Sequence, residues 1–182
     1  PEPTEEESIK ALLSAQDMAF ENGLTTVSEA GISREQIELI DSLQKSGILK
    51  IKIYAMIENG PDVDYYISQG PYKTDRLNVR SVKVLADGAL GSRGASMIDE
   101  YSDRKGYYGL MLTPADSIRS LAFKLAGTGF QMNTHAIGDN ANRVVLNAYR
   151  DALFNYRDPR WRVEHAQVLK EDDIQLFNQK II

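Results

Sequence analysis

The stretch GFQMNTHAIGDNANRVVLNAY, residues 129–149, decides the predicted fold because its hydrophobic period changes once along its length. Up to residue 137 the side chains alternate, with Gln131, Asn133 and His135 on one face, which is typical of a β-strand. From residue 139 onward, apolar side chains recur at helical spacing. The stretch therefore predicts a strand that carries a histidine near its end and leads directly into a helix.

The same order of strand and helix is repeated on both sides of this stretch. Strands are predicted at 24–31, 48–57, 79–86, 130–137 and 160–168, and helices at 4–23, 33–47, 113–127, 139–156 and 170–179. The predicted helix caps are the capping boxes Thr4 with Glu7 and Ser33 with Gln36, then Thr113 before Pro114, and Asp139 with Asn140. Alternation of this kind predicts parallel strands with helical crossovers.

An open doubly wound sheet and part of a (β/α)8 TIM-type barrel both fit this order. The strands of a doubly wound sheet are apolar on both faces, whereas the lumen of a barrel tolerates polar side chains near its active end. Two of the predicted strands have a polar face, which carries Asn133 and His135 in one and Ser81 and Lys83 in the other. We therefore expect an α/β fold, and within it a partial barrel.

Composition limits the possible functions. A net charge of −5 with scattered basic residues argues against nucleic acid and an anionic membrane surface as partners. The absence of cysteine excludes disulfides and thiolate-bound metals. Neither a long apolar run nor an export signal is visible in the sequence, so we expect a cytoplasmic location, with export of a longer parent protein left open.

Three predicted strands in succession bring a nitrogen-bearing side chain toward the same rim. These residues are Lys83, His135 and His165, and functional groups gather at the C-terminal ends of parallel strands. Each of them alone is more often structural, but together they suit a metal-dependent hydrolase, since neutral imidazole is a common zinc ligand. A buried lysine amine that captures carbon dioxide would add an anionic carbamate ligand.

Other polar residues near this rim have competing interpretations. Asp87 is expected either to support the ligands by hydrogen bonding or to be a turn residue. The glycine-rich loop that follows is interpreted as a mobile loop, with Ser92 and Arg93 as candidate substrate contacts. Glu164 is expected on the strand face opposite His165, paired with a helix residue such as an arginine.

Four strings in this order and spacing resemble the metal-dependent amidohydrolase superfamily, and within it amidohydrolase family 3, the branch that includes N-substituted formamide deformylases. The strings are GLTTVSEAG (23–31), VKVLADGALGSRGA (82–95), THAIGDNANRVVLNAY (134–149) and RWRVEHAQV (160–168). The resemblance implies a (β/α)8 barrel in which Lys83 is carboxylated and binds one or two divalent metal ions, expected to be zinc, together with His135 and His165. It also implies a hydrolase of amide or related non-peptide C–N bonds that uses water activated by the metal.

The family's H-x-H pair on the first barrel strand and its aspartate on the eighth are not found in this sequence. Residues 1–182 are therefore expected to be a single fragment that covers barrel strands two to six, with KII opening a further strand. We expect such a fragment to be inactive by itself and to self-associate through open sheet edges as a homo-oligomer. The alternative is a non-catalytic barrel-derived module that binds a small ligand; in either case the expected partner is a small molecule, for the enzyme an amide substrate.

Overall fold

The computed structural model describes residues 3–182, which form alternating strands and helices. The helices are α1 (Glu5–Glu21), α2 (Arg34–Lys45), α3 (Asp62–Gln69), α4 (Ala115–Leu125), α5 (Asp139–Ala152) and α6 (Glu171–Ile174). The strands are β1 (Thr26–Ile32), β2 (Lys52–Glu58), β3 (Tyr72–Lys73), β4 (Leu77–Leu85), β5 (Gln131–Ala136) and β6 (Arg162–His165). The five predicted strands are all present, whereas α3 and β3 lie in a stretch where no clear pattern predicted an element.

The sheet has the strand order β1-β2-β4-β5-β6, and these five strands are all parallel. The short β3 pairs antiparallel with β4. The sheet curls into a half-barrel, as in part of a (β/α)8 barrel, so the predicted fold class is confirmed. Among the described residues, no helix is both long and apolar enough to cross a membrane.

Two of the predicted helix starts are confirmed in atomic detail. The side chain of Thr4 accepts a hydrogen bond from the backbone of Glu7, whose carboxylate accepts one from the backbone of Thr4. Ser33 and Gln36 form the same reciprocal pair at the start of α2. Both motifs satisfy backbone N–H groups that a helix start leaves without partners.

The other two predicted caps are wrong. The hydroxyl of Thr113 donates to the carbonyl oxygen of Leu85 at 2.7 Å, so Pro114 is the N-cap of α4. Gly138 is the N-cap of α5, and Asp139 lies inside the helix, where its carboxylate accepts the backbone N–H of Ile98. In both cases the side chain that local spacing predicted as a cap, Thr113 or Asp139, instead forms a hydrogen bond with a distant segment of the chain.

The two faces of the sheet have different chemistry. Toward the helices, the strands present a buried apolar core that includes Ile53, Ala55, Ile57, Val82 and Val84. The opposite, concave face carries the lumen residues, which we define as Tyr54, Met56, Ser81, Lys83, Gln131, Asn133, His135, Arg162 and Glu164. This polar concave face agrees with the alternation that the sequence predicted.

The edge of β6 is not fully open, which corrects the expectation of an open sheet edge on this side. Trp161 pairs in parallel with Ile181, and the backbone N–H of Val163 donates to the carbonyl oxygen of Ile182 at 2.9 Å. The last three residues therefore begin a further parallel strand, as the sequence predicted. Within the described residues, β1 pairs only with β2.

Candidate metal centre

The two histidines lie side by side at the ends of neighbouring strands. His135 is the next-to-last residue of β5, and His165 ends β6, where it is in register with Ala136. Their ring centroids are 4.5 Å apart, and the rings are inclined at 72°. Two imidazoles in this arrangement can offer nitrogen atoms to one common space at the rim.

The environment of His135 favours the neutral form of its ring. Burial lowers the pKa of His135, and the nearby His165 lowers it further, whereas the charge of Asp87 opposes the shift. The Nε2 atom is buried and has no hydrogen-bond partner among the described residues. A neutral imidazole with a free lone pair is the form that binds a metal ion.

Lys83 lies on the same face, one strand away from His135. Its strand neighbour in β5 is Asn133, and His135 is in register with Leu85. Burial is the main cause that lowers the pKa of Lys83; Arg162 lowers it as well, whereas Glu164 raises it. Lys83 forms no ion pair within 4.0 Å in the described part of the chain. The amine is therefore easier to deprotonate than an exposed lysine amine.

The backbone of β1 approaches the stem of Lys83 closely. A Cβ atom at Gly31 would lie 3.4 Å from the Cγ of Lys83, so the glycine leaves only van der Waals room for the lysine stem. Gly31 has a φ of 113°, and the pairing between β1 and β2 shifts at this point. The bulge thus brings the edge strand against the aliphatic stem of Lys83.

Asp87 organises the rim between β4 and β5. It is 1% exposed, and its carboxylate accepts the backbone N–H groups of Ser96 at 2.8 Å, Ile137 at 2.9 Å and Gly138 at 2.8 Å. The Oδ1 atom lies 3.7 Å from the Nε2 of His135. A carboxylate with these contacts is more than a local turn residue, since it connects three segments of the chain next to the histidine.

The loop after β4 is packed rather than free, which differs from the interpretation of a mobile loop. Ala95 and Ser96 are buried, and Gly88 and Gly94 approach so closely that a Cβ on Gly88 would lie 3.2 Å from the Cα of Gly94. The backbone N–H groups of Gly88 and Gly94 also donate within this loop. Gly88 and Gly94 therefore permit close packing of the loop backbone.

The two candidate substrate contacts lie on this loop, and their described hydrogen bonds stay within it. Ser92 donates to the carbonyl oxygen of Ala89 at 3.2 Å. Arg93 forms an ion pair with Asp103 at 2.8 Å, and its side chain is 39% exposed. Neither residue is hydrogen-bonded to Lys83 or to a histidine, so a role in substrate contact stays a prediction.

Glu164 does not lie where the sequence predicted. It is on the lumen face, in register with His135, and it accepts hydrogen bonds from Arg162 on its own strand rather than from a helix residue. The reason is the backbone of His165 and Ala166, whose φ angles are 71° and 43°. These left-handed residues interrupt the alternation, so Glu164 and His165 both reach the concave side.

Sequence reasoning placed Ser81, Gln131 and Asn133 on polar strand faces, but it missed two further lumen residues, Tyr54 and Arg162. Arg162 lies on the lumen face, and Tyr54 donates a hydrogen bond to Gln131 at 2.5 Å. The Oγ of Ser81 and the Oδ1 of Asn133 are buried without partners among the described residues. Period two was the signal that could have placed both, since Tyr54 alternates with buried residues of β2 and Arg162 alternates with the buried Val163 of β6.

Comparison with known proteins identifies the family. A sequence profile described as "Amidohydrolase family" matches residues 1–180. The chain belongs to the amidohydrolase family. This agrees with the resemblance of its four strings.

The named relatives are much longer than this chain. The amidohydrolase chain is 29% identical over 189 residues to Protein LONG AFTER FAR-RED 3 of Arabidopsis thaliana, which covers 96% of this chain and 32% of that protein. It is 35% identical over 107 residues to the putative amidohydrolase YtcJ of Bacillus subtilis (strain 168), which covers 58% of this chain and 19% of that protein.

Solved structures show the same arrangement of strands and helices. An uncharacterized metal-dependent hydrolase from Pyrococcus furiosus superposes with a TM-score of 0.86 at 26% identity, covering 96% of this chain and 36% of that one. A second such hydrolase, from Pyrococcus horikoshii OT3, gives a TM-score of 0.85 at 26% identity, with 96% and 35% coverage. The amidohydrolase chain thus spans about a third of these proteins.

Proposed function

We propose that this chain carries part of the active site of a metal-dependent hydrolase that cleaves amide or related non-peptide C–N bonds in small molecules. The observation that carries the proposal is the pair of rim imidazoles, His135 and His165, with ring centroids 4.5 Å apart. The family profile and the two Pyrococcus structures support it, because the former describes amidohydrolases and the latter are metal-dependent hydrolases.

The donor set fits a divalent metal ion. Imidazole nitrogen suits zinc, and His135 is buried in a way that keeps its ring neutral. Residues 3–182 contain no group of three or more His, Cys, Asp or Glu side chains that could hold a metal ion. The third donor that we propose is therefore Lys83, as a carbamate, with zinc as the expected ion and one or two ions per site.

A carbamate at Lys83 would turn a cationic side chain into an anionic oxygen ligand. The amine is half-buried and has no ion-pair partner within 4.0 Å among the described residues, so its neutral form is accessible to carbon dioxide. The family resemblance implies that such an anion at Lys83 would help to hold the metal. The ligands that complete the site would come from parts of the protein outside residues 1–182.

The chain's own residues then have separate roles. A divalent ion bound here would polarise the scissile carbonyl and make water more acidic. Asp87 would support His135 indirectly, because its carboxylate fixes the backbone N–H groups of Ile137 and Gly138 just after β5 and that of Ser96 in the loop. Ser92 and Arg93 are on that loop, and we propose that they contact the substrate from the rim.

Metal analysis of the full-length protein tests this proposal. We expect about one or two zinc ions per chain in the wild type, and loss of both metal and amide hydrolysis in Lys83→Met. Lys52→Met is the matched control, because Lys52 is an exposed lysine at the start of β2. A metal-free protein with full activity would overturn the proposal, and so would retention of metal by Lys83→Met. Tight binding of small amides without hydrolysis would instead support a non-catalytic binding module.

A further inference from the structure

Arg162 brings a permanent positive charge into the lumen that the proposed metal chemistry does not use. Its guanidinium donates to Glu164 through Nε at 2.9 Å and Nη2 at 2.5 Å. The same Nη2 lies 4.0 Å from the sulfur of Met56, and the guanidinium carbon is 5.5 Å from the centre of the Tyr54 ring. Met56 and Tyr54 belong to β2, so the side chain reaches from β6 across the concave face.

Arg162 and Lys83 are in the same cross-strand row. Lys83 is in register with Asn133, and Asn133 is in register with Arg162. Since neighbouring strands are about 4.8 Å apart, the backbones of Lys83 and Arg162 are roughly 10 Å apart. Asn133 lies between them and is fully buried. Its side chain is short, so it does not separate the longer side chains of Lys83 and Arg162 in the lumen.

Lys83 shares the concave face with two charged groups of opposite sign. Arg162 is in the row of Lys83, and Glu164 follows on the same face of β6, in register with His135. Glu164 and Arg162 are themselves paired, with 27% and 30% of their side chains exposed. Solvent therefore screens these charges only partly. A positive Lys83 is attracted by Glu164, whereas a negative Lys83 would be attracted by Arg162.

Carbamate formation is such a change of charge. The lone pair of the neutral Lys83 amine forms a bond to the carbon of carbon dioxide, one C=O bond becomes C–O⁻, and the displaced amine proton leaves to solvent. Lys83 thereby passes from +1 as an ammonium to −1 as a carbamate. Glu164 then repels it, whereas Arg162 attracts it and still has Nη1 hydrogens that are not used in its bonds to Glu164.

We propose that Arg162 is the counter-ion that stabilises the carbamate form of Lys83, and thus a positioning residue for the metal centre. This inference rests on the proposed function, because it needs the carbamate. The hydroxyl of Ser81 supports an anion at Lys83. Ser81 lies on the lumen face two residues before Lys83, is 0% exposed, and its Oγ has no partner among the described residues. An anion at Lys83 would supply the kind of acceptor that this hydroxyl lacks.

The test measures carbamate occupancy directly. Zinc-loaded full-length protein is equilibrated with ¹³C-bicarbonate at increasing concentration, and the carbamate carbon is followed by ¹³C NMR, with Lys83→Met to assign the signal. In Arg162→Met we expect about tenfold more bicarbonate to be needed for half-occupancy, as for a shift of one logarithmic unit in the equilibrium. Arg162→Lys keeps the charge and should remain close to the wild type.

Two further variants separate the charge effect from a folding defect. Glu164→Gln removes the repelling carboxylate, so it should need less bicarbonate than the wild type, whereas a folding defect would raise the requirement. Arg160→Met is the matched control, because Arg160 is 63% exposed and paired with Asp158; its occupancy should not change. Equal occupancy in Arg162→Met and wild type, with hydrolysis intact, would overturn the inference alone. A wild type with neither carbamate nor metal would overturn the proposed function as well.

Discussion

Replacing Gly138 by alanine would place a methyl group where the backbone of Ser96 lies. A Cβ at Gly138 would be 2.7 Å from the nitrogen of Ser96 and closer still to its carbonyl group. The backbone of Gly138 has a φ of −73°, which alanine adopts without strain. The substitution therefore tests one contact, the packing of the loop after β4 against the start of α5.

The expected cost follows from the hydrogen bonds that the displaced loop would lose. The carbonyl oxygen of Ser96 accepts the N–H of Asn140 at 3.1 Å and that of Ala141 at 3.4 Å. Its N–H donates to Asp87 at 2.8 Å, and its Oγ accepts from the Asn140 amide at 2.9 Å. At about 1 kcal/mol for each bond, the loss is about 3–4 kcal/mol, the 3.4 Å contact being the weakest.

Thermal unfolding of the full-length protein measures this cost. In a domain of about 150–250 residues, 3 kcal/mol corresponds to a fall of about 6 °C or more in Tm, and the fall is smaller in a longer protein. Gly91→Ala is the matched control in the same loop, because nothing lies within 4 Å of a Cβ there; its stability should stay within about 0.5 kcal/mol. An unchanged Tm for Gly138→Ala would refute the packing argument, and so would equal losses in the two variants.

Three other predictions concern the site. Asp87→Asn should lower zinc affinity about tenfold to a hundredfold, measured by competition with a chelating dye, because the carboxylate next to His135 is lost; unchanged affinity would contradict a supporting role for Asp87. Removing the metal with a chelator should abolish amide hydrolysis, and added zinc should restore it, whereas full activity of the stripped protein would exclude metal dependence. Arg93→Ala should raise KM while leaving zinc content unchanged, since Arg93 is on the rim loop and away from the ligands; an unchanged KM would remove Arg93 from the substrate contacts.

The features that were best predicted from the sequence are those that depend only on residues close together in the chain. The capping boxes at Thr4 and Ser33 need only residues within one helical turn, and both are present. The polar face of β5 follows from strict alternation, so Asn133 and His135 were placed on one side of the sheet before any tertiary contact was known. The family strings then added the expected roles of the histidines.

The features that sequence missed depend on contacts between distant segments. The Thr113 hydroxyl bonds to Leu85, 28 positions earlier in the chain, which local spacing cannot reveal. The register between β2 and β4 shifts between Val79 and Ser81, and no pattern in the sequence marked this irregularity. Glu164 was assigned to the wrong face because alternation was extended through His165, where the backbone leaves the strand conformation.

The left-handed backbone at His165 and Ala166 makes the paired imidazoles a cooperative property of the fold. A left-handed conformation costs a residue other than glycine about 1–2 kcal/mol, so the local chain by itself disfavours this geometry. It is maintained from outside: the Val168 N–H donates to the Ile137 carbonyl oxygen at 2.9 Å, which ties the segment after His165 to the end of β5. The two rings therefore meet only when β5, β6 and this returning segment are folded together, and a chain with β6 detached would have lost the site before it lost its core.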